Sequence, residues 1–143
     1  MRALHAAGFA NMPTSRHLRD GLKLADAYIS SVVRCAPPDN RPLQVEITNC
    51  HEHLKAEAAA LPSIRVVVAL GRVAFDSYWR LIADRGATVK PRPKFQHGLV
   101  CEPPGAPAIV AAYHPSPRNT NTGRLTPAML ADVFVRARAL IDG

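Results

Sequence analysis

Three segments of the chain carry short apolar runs. These are Leu24–Cys35, which is rich in β-branched residues, Arg65–Leu70 and Ala108–Tyr113. A short apolar run bounded by turn residues is typical of a strand buried on both faces of a parallel sheet. The pattern therefore predicts three buried strands, of which the last leads directly into His114.

Apolar positions outside these runs recur at helical spacing. Val45–Leu61 carries one apolar stripe, which predicts a helix. Gly71 ends the second strand and opens another helix, on which Phe75 and Trp79 lie four residues apart, a spacing that suits packing in a core. Thr126-Pro127 is a good N-cap and first-turn pair for the last helix.

The alternation of strands and helices predicts one α/β domain over residues 1–143, with a parallel sheet between helices. In such a sheet, the loops that leave the carboxyl ends of the strands build the site. Those loops are Cys35–Pro42, the Leu70-Gly71 turn and His114–Thr126. We expect the first and the last of them to lie close together.

Composition narrows the class of protein. Apolar residues make up 48% of the chain, which indicates a folded protein, and the apolar runs are too short to span a membrane. Without a secretory leader, and with an odd count of three cysteines, the chain is expected in a reducing cytoplasm. The net charge of +7, mostly arginine, suits nucleic acid, although a codon bias toward arginine explains it equally well.

The segment His114–Thr126 carries the most chemistry. It combines an imidazole with arginines, amides and hydroxyls, and it contains no acidic residue. Such a loop favours anions, and the following helix N-terminus adds amide donors. The residues that could contact the phosphates of a ligand are Ser116, Arg118, Asn119, Thr120, Thr122, Gly123 and Arg124. The residues alone leave two interpretations open, a phosphate-binding loop and a solvated polar loop with a structural histidine.

The longer motifs point to one family. HPSPRNTNTGRLT (114–126) closely resembles the C-terminal motif of the type-5 uracil-DNA glycosylases, and RCAPPDNRP (34–42) resembles their middle motif. The segments ITNC (47–50), RVVVALG (65–71) and FQHG (95–98) also fit. The resemblance covers essentially the whole chain. It implies a three-layer α/β/α fold and a monomeric enzyme that flips uracil out of DNA and excises it, leaving an abasic site.

The resemblance also implies roles for single residues. His114 would stabilise the charge that develops on the leaving base, and Asn40 would read the uracil edge, since a carboxamide both donates and accepts. Read without the family, Asn40 suits a turn residue better. Cys35 and Cys50 match two of the four thiolate ligands of a structural [4Fe–4S] cluster, whereas Cys101 matches none.

The family pattern begins before Met1. It would add a Cys-x-x-Cys pair, a first strand and a motif ending in the acidic residue that activates water. Met1–Ala7 resembles the helix after that motif, so we expect the chain to begin within the domain and to be weakly active or inactive alone. The alternative is a non-enzymatic DNA-binding remnant. A phosphate-metabolite enzyme is disfavoured because only a single glycine, Gly71, stands at the strand–helix turn.

Overall fold

A computed structural model of the chain describes residues 2–12, 21, 23–29, 44–87, 92–115 and 117–142. The elements in these segments are α1 (Arg2–Ala6), α2 (Gln44–Ala60), β1 (Val66–Leu70), α3 (Arg72–Asp84), β2 (Val100–Cys101), β3 (Ala108–Ala112), α4 (Pro117–Asn121) and α5 (Pro127–Asp142). No helix among these residues is both long and apolar enough to cross a bilayer.

The strands of the described segments form one sheet in the order β1-β3-β2. β1 and β3 run parallel, as predicted, with Val66 opposite Ala108 and Leu70 opposite Ala112. The sequence did not predict β2, a two-residue edge strand that pairs antiparallel with β3. It forms because the turn before it reverses the chain, so that the Gly98 N–H donates to the Ala111 carbonyl at 2.8 Å.

Helices cover both faces of the sheet, which confirms the three-layer α/β/α prediction. Residues of odd number on β1 and β3 face α3, and residues of even number face α5. The α3 side is the core of Ala69, Phe75, Tyr78, Trp79, Ile82, Ile109 and Ala111. The α5 side contains Val110, Ala112 and Val133, with Val66, Val68 and Leu70 packed on them. The alternation follows from the two-residue period of a strand.

Of the two parallel strands that the structure describes, β3 alone is buried on both faces. β3 lies in the middle of the sheet and is buried at every position. β1 lies at the edge of the described sheet, and only Ala69 is buried among its five residues. The apolar run of β1 was therefore an accurate signal for a strand but not for its place in the sheet.

The amino-terminal segment is attached to α5. The Phe9 ring meets the Phe134 ring edge-on at 6.5 Å. The Arg138 guanidinium lies 4.2 Å from the Phe9 ring centroid, donates to the Gly8 carbonyl at 3.1 Å and pairs with Asp26 at 3.0 Å. One arginine thus ties residues 7–9 and Asp26 to the last helix.

The prediction of a buried strand over Leu24–Cys35 is wrong for the part that the structure describes. Residues 24–29 contribute only an isolated bridge at Leu24, and Tyr28 and Ile29 are 61% and 58% exposed. Asp26 has a φ of 58°, which breaks the extended backbone that a strand requires. Residues 30–35 lie outside the described segments.

Candidate active site and nucleic-acid interface

The carboxyl ends of β1 and β3 bring Gly71 and His114 together. The two strands are parallel and in register, and the Gly71 N–H donates to the Ala112 carbonyl at 2.8 Å. A Cβ built on Gly71 would lie 3.1 Å from the His114 Cβ, and Gly71 has a φ of 98°. Both the conformation and the close approach require glycine. The first turn of α3 therefore starts directly beside the imidazole of His114.

His114 is presented to solvent on a fixed backbone. Its side chain is exposed. Its carbonyl accepts a hydrogen bond from the Asn119 side-chain amide at 2.8 Å. The Asn119 carbonyl in turn accepts from the Leu125 N–H at 3.0 Å and from the Thr122 hydroxyl at 3.4 Å. Asn119, predicted as a DNA contact, thus has an organising role inside the loop.

The loop is anchored at its far end as well. Leu125 is 2% exposed, and Thr126 caps α5 by accepting the Met129 N–H at 3.2 Å, as the sequence predicted. Between these anchors the chain forms the short helix α4 and turns at Gly123, which has a φ of 76°. The predicted DNA contacts that this arrangement leaves exposed are Thr120, Thr122, Gly123 and Arg124.

A stack of rings supports the residue before His114. The Arg124 guanidinium lies 4.6 Å from the Tyr113 ring centroid, and the His97 ring lies 4.9 Å from the same ring. The Tyr113 N–H donates to His97 Nδ1 at 3.0 Å. An arginine stacked in this way keeps its in-plane donors for a phosphate. Sequence reasoning gave no role to Tyr113 and His97; the FQHG segment was the signal that it had for His97.

Several predicted site residues lie beyond what the structure describes. Asn40, Cys35 and Ser116 are outside the described residues, and so is the side chain of Arg118, whose backbone belongs to α4. The expected proximity of the loop Cys35–Pro42 to the His114 loop therefore stays a prediction.

Cys50 lies on α2 as a partly exposed free thiol. In the part of the chain that the structure describes, no three His, Cys, Asp or Glu side chains are grouped to hold a metal ion. His51, the residue after Cys50, is buried and forms a hydrogen bond of 2.7 Å with Asp84. This bond attaches α2 to the end of α3. That hydrogen bond gives His51 a structural role. The described residues alone do not make a four-thiolate site.

Comparison with known proteins identifies the class. A sequence model of the uracil DNA glycosylase superfamily matches residues 1–138, and the chain belongs to that superfamily. Within it, the chain is 42% identical over 139 residues to a type-5 uracil-DNA glycosylase of Mycobacterium leprae, a match that covers 96% of this chain and 59% of the relative.

Relatives from distant organisms agree. The type-5 uracil-DNA glycosylase of Pyrobaculum aerophilum is 43% identical over 138 residues, and that of Thermus thermophilus is 40% identical over 137 residues. Each match covers 96% of this chain, and 58% and 60% of the two relatives respectively. The resemblance seen in the motifs is confirmed, and the chain spans about three fifths of the length of these relatives.

Proposed function

We propose that this chain belongs to a DNA repair glycosylase that hydrolyses the N-glycosidic bond of uracil in DNA. Water adds to C1′ of the deoxyribose, the bond from C1′ to N1 breaks, and uracil leaves with the bonding electrons and is protonated. The products are free uracil and an abasic site. The observation that carries the proposal is the exposed His114 at the carboxyl edge of the sheet, held against Gly71 within a basic loop.

His114 would act on the leaving group. An imidazole N–H directed at uracil O2 stabilises the negative charge that develops as the bond breaks. The geometry supports this role, because Asn119 fixes the His114 carbonyl while the imidazole stays exposed. Asn40 would read the Watson–Crick edge of uracil through its carboxamide, in keeping with the sequence prediction.

The loop around His114 would hold the distorted strand. Base flipping costs a few kcal/mol of lost stacking and pairing, which contacts to the backbone must offset. Arg124 and the exposed residues Thr120 and Thr122 would make such contacts, with Arg118 and Ser116 as further predicted contributors. Binding to uracil-containing DNA is therefore expected to weaken steeply with salt.

The loop offers no base for the attacking water. Residues 113–126 contain neither aspartate nor glutamate. We therefore propose that the chain alone binds DNA but turns over slowly, and a DNA-binding domain without chemistry is the second candidate.

The test is uracil release from a duplex with one uracil, measured for this chain beside the full-length Thermus thermophilus relative. Salt-dependent binding with much slower release supports the proposal. Equal rates would show that a base is present after all, and absence of binding would contradict both candidates.

Cys35 and Cys50 would contribute two thiolates to a [4Fe–4S] cluster with a structural role. The support is the motif resemblance and the accessible thiol of Cys50 on α2. Joined to a segment that supplies the Cys-x-x-Cys pair of the family pattern, the chain should co-purify with iron and acid-labile sulfide in a ratio near one, and both should fall in the variant Cys50→Ser. Cys101→Ser is the matched control, since that thiol matched no ligand position. Equal loss in both variants, or a metal-free wild type, would contradict the assignment.

A further inference from the structure

A second basic surface lies beyond the loop to which the proposed function assigns DNA. It is a cleft of about 480 Å³ at the first turn of α3, which we call the α3 cleft. Its lining residues are Arg72, Phe75, Asp76, Arg92, Pro93, Lys94 and Phe95. The segment 92–95 thus packs across the first turn of the helix that begins beside His114.

The α3 cleft is continuous with the candidate site through packed rings. The Phe95 ring lies 5.4 Å from the Phe75 ring inside the cleft and 6.2 Å from the Tyr113 ring beside His114. An arginine covers each outer ring of this row, Arg92 over Phe75 at 5.7 Å and Arg124 over Tyr113 at 4.6 Å. A ligand held at Arg124 can therefore extend past the partly exposed Phe95 toward Arg92.

The charge of the α3 cleft favours an anion. Arg72, Arg92 and Lys94 are exposed cations, and Asp76 is the one carboxylate that the described residues contribute to the lining. Asp76 pairs with Arg92 and thereby orients its guanidinium over Phe75. Among the described residues, no carboxylate pairs with Arg72 or Lys94. Arg72 and Lys94 therefore face solvent without a described carboxylate partner. Among the described contacts Arg92 meets Asp76 through Nη2 alone, which leaves its other donors for an anion.

We propose that Arg92 and Lys94 bind backbone phosphates of the substrate DNA on one flank of the flipped nucleotide. The inference rests on the proposed function and extends its DNA footprint past the His114 loop. An open cleft with cations at its rim and apolar rings at its floor suits a strand, whose phosphates meet the cations while its sugars pack on Phe95. Guanidinium and ammonium groups supply the phosphate contacts without base preference.

The salt dependence of DNA binding distinguishes phosphate contacts in the α3 cleft from a general effect of the protein's net charge. Fluorescence anisotropy would use a duplex with a non-hydrolysable abasic analogue, titrated at several salt concentrations. Arg92→Ala with Lys94→Ala should lower the slope of log Kd against log salt by about two, one for each lost phosphate contact, and weaken binding about tenfold.

The matched control removes two cations from the other end of the same helix. Arg80 and Arg85 are exposed, lie outside the cleft, and their double alanine variant has the same net charge as the cleft variant. It should keep nearly the wild-type slope. Equal slopes in the two double variants would overturn the inference, as would a wild-type slope in the cleft variant.

Duplexes shortened from one end or the other locate the contacted flank. Wild-type affinity should fall when one particular flank is shortened, and the cleft variant should be insensitive to that same change. Equal sensitivity of wild type and variant would contradict a footprint in the cleft. A wild-type chain that binds no DNA would contradict the proposed function and this inference together, whereas DNA binding without a cleft effect contradicts the inference alone.

Discussion

The two ends of α3 are both rich in charged groups, yet the charges are arranged in opposite ways. At the carboxyl end, Asp84 is paired with the buried His51 at 2.7 Å and with Lys55 at 3.9 Å. At the amino end, Asp76 pairs with Arg92, and Arg72 and Lys94 add cations that no described carboxylate compensates. The carboxyl end uses its aspartate to join two helices, whereas the amino end gathers three exposed cations around one cleft.

The difference distinguishes charges that stabilise the fold from charges that face a ligand. A structural charge is matched within the fold, because an unmatched charge lowers stability when it is partly buried. A surface that binds an anion must keep cations uncompensated until the ligand arrives. The amino end of α3 carries such cations and lies beside His114. The comparison therefore assigns ligand binding to the amino end and stability of the fold to the carboxyl end.

Substitution of two histidines, one at each end of α3, tests this comparison and has the largest expected effect. His114→Ala should slow single-turnover uracil release by about 100-fold to 1000-fold, because it removes a donor to the developing charge. Its thermal midpoint should stay near wild type, since the side chain is exposed. His51→Ala should show the reverse, a lower midpoint and an unchanged rate below it, because His51 is buried against Asp84. A stability loss of similar size in both variants would contradict the division.

Two glycines test the close approach at the amino end. Gly71→Ala should destabilise the fold by about 1–3 kcal/mol through its positive φ. It should also displace His114, whose Cβ lies 3.1 Å from the new methyl position. Gly86, just past the carboxyl end, has a φ of 85° and nothing within 4 Å of an added Cβ.

Gly86→Ala should therefore show the backbone cost alone and leave DNA binding and uracil release unchanged. Chemical denaturation and the release assay measure the two effects separately. Unaltered release in Gly71→Ala, at a temperature where the variant is folded, would show that the glycine is not needed to position His114.

Local sequence signals predicted the elements that carry the site. The apolar run ending in Tyr113 was a strand, His114 followed it at the carboxyl edge, and Thr126 capped the last helix. Phe75 and Trp79 are core residues, as their spacing indicated. These features depend on neighbours within about one helical turn or on the two-residue period of a strand, so the sequence contains them directly.

The remaining features depend on contacts between distant segments. The approach of Gly71 to His114 follows from the register of β1 on β3, and the α3 cleft follows from the path of residues 92–95 across another helix. Neither is encoded in a local pattern. The predicted strand at Leu24–Cys35 was wrong in its described half, where Asp26 has a positive φ and pairs with Arg138 of the distant helix α5.

The smallest expected effect concerns the pH dependence of stability at the carboxyl end. The hydrogen bond from His51 is the main cause that lowers the pKa of Asp84. Desolvation opposes it, and the charges of Lys55, His51 and Arg80 lower the pKa further. Because the folded pKa lies below the unfolded value, the pair stabilises the fold at pH values above the unfolded pKa of about 3.9. That stabilisation is lost as the pH falls through the folded pKa.

Asp84→Asn should therefore lower the thermal midpoint modestly at neutral pH and reduce the part of the acid decline that wild type shows below pH ~4. Asp76→Asn is the matched variant at the amino end, because it also removes an aspartate of α3 that is paired with a cation but leaves the pair of Asp84 and His51 intact. It should strengthen DNA binding, since Asp76 is the carboxylate that lines the α3 cleft among the described residues. Scanning calorimetry between neutral and acid pH measures the effect of Asp84→Asn on stability, and fluorescence anisotropy measures the effect of Asp76→Asn on DNA binding. If Asp84→Asn tightened DNA binding as much as Asp76→Asn, charge anywhere on α3 would explain the affinity, and the distinction between its two ends would fail.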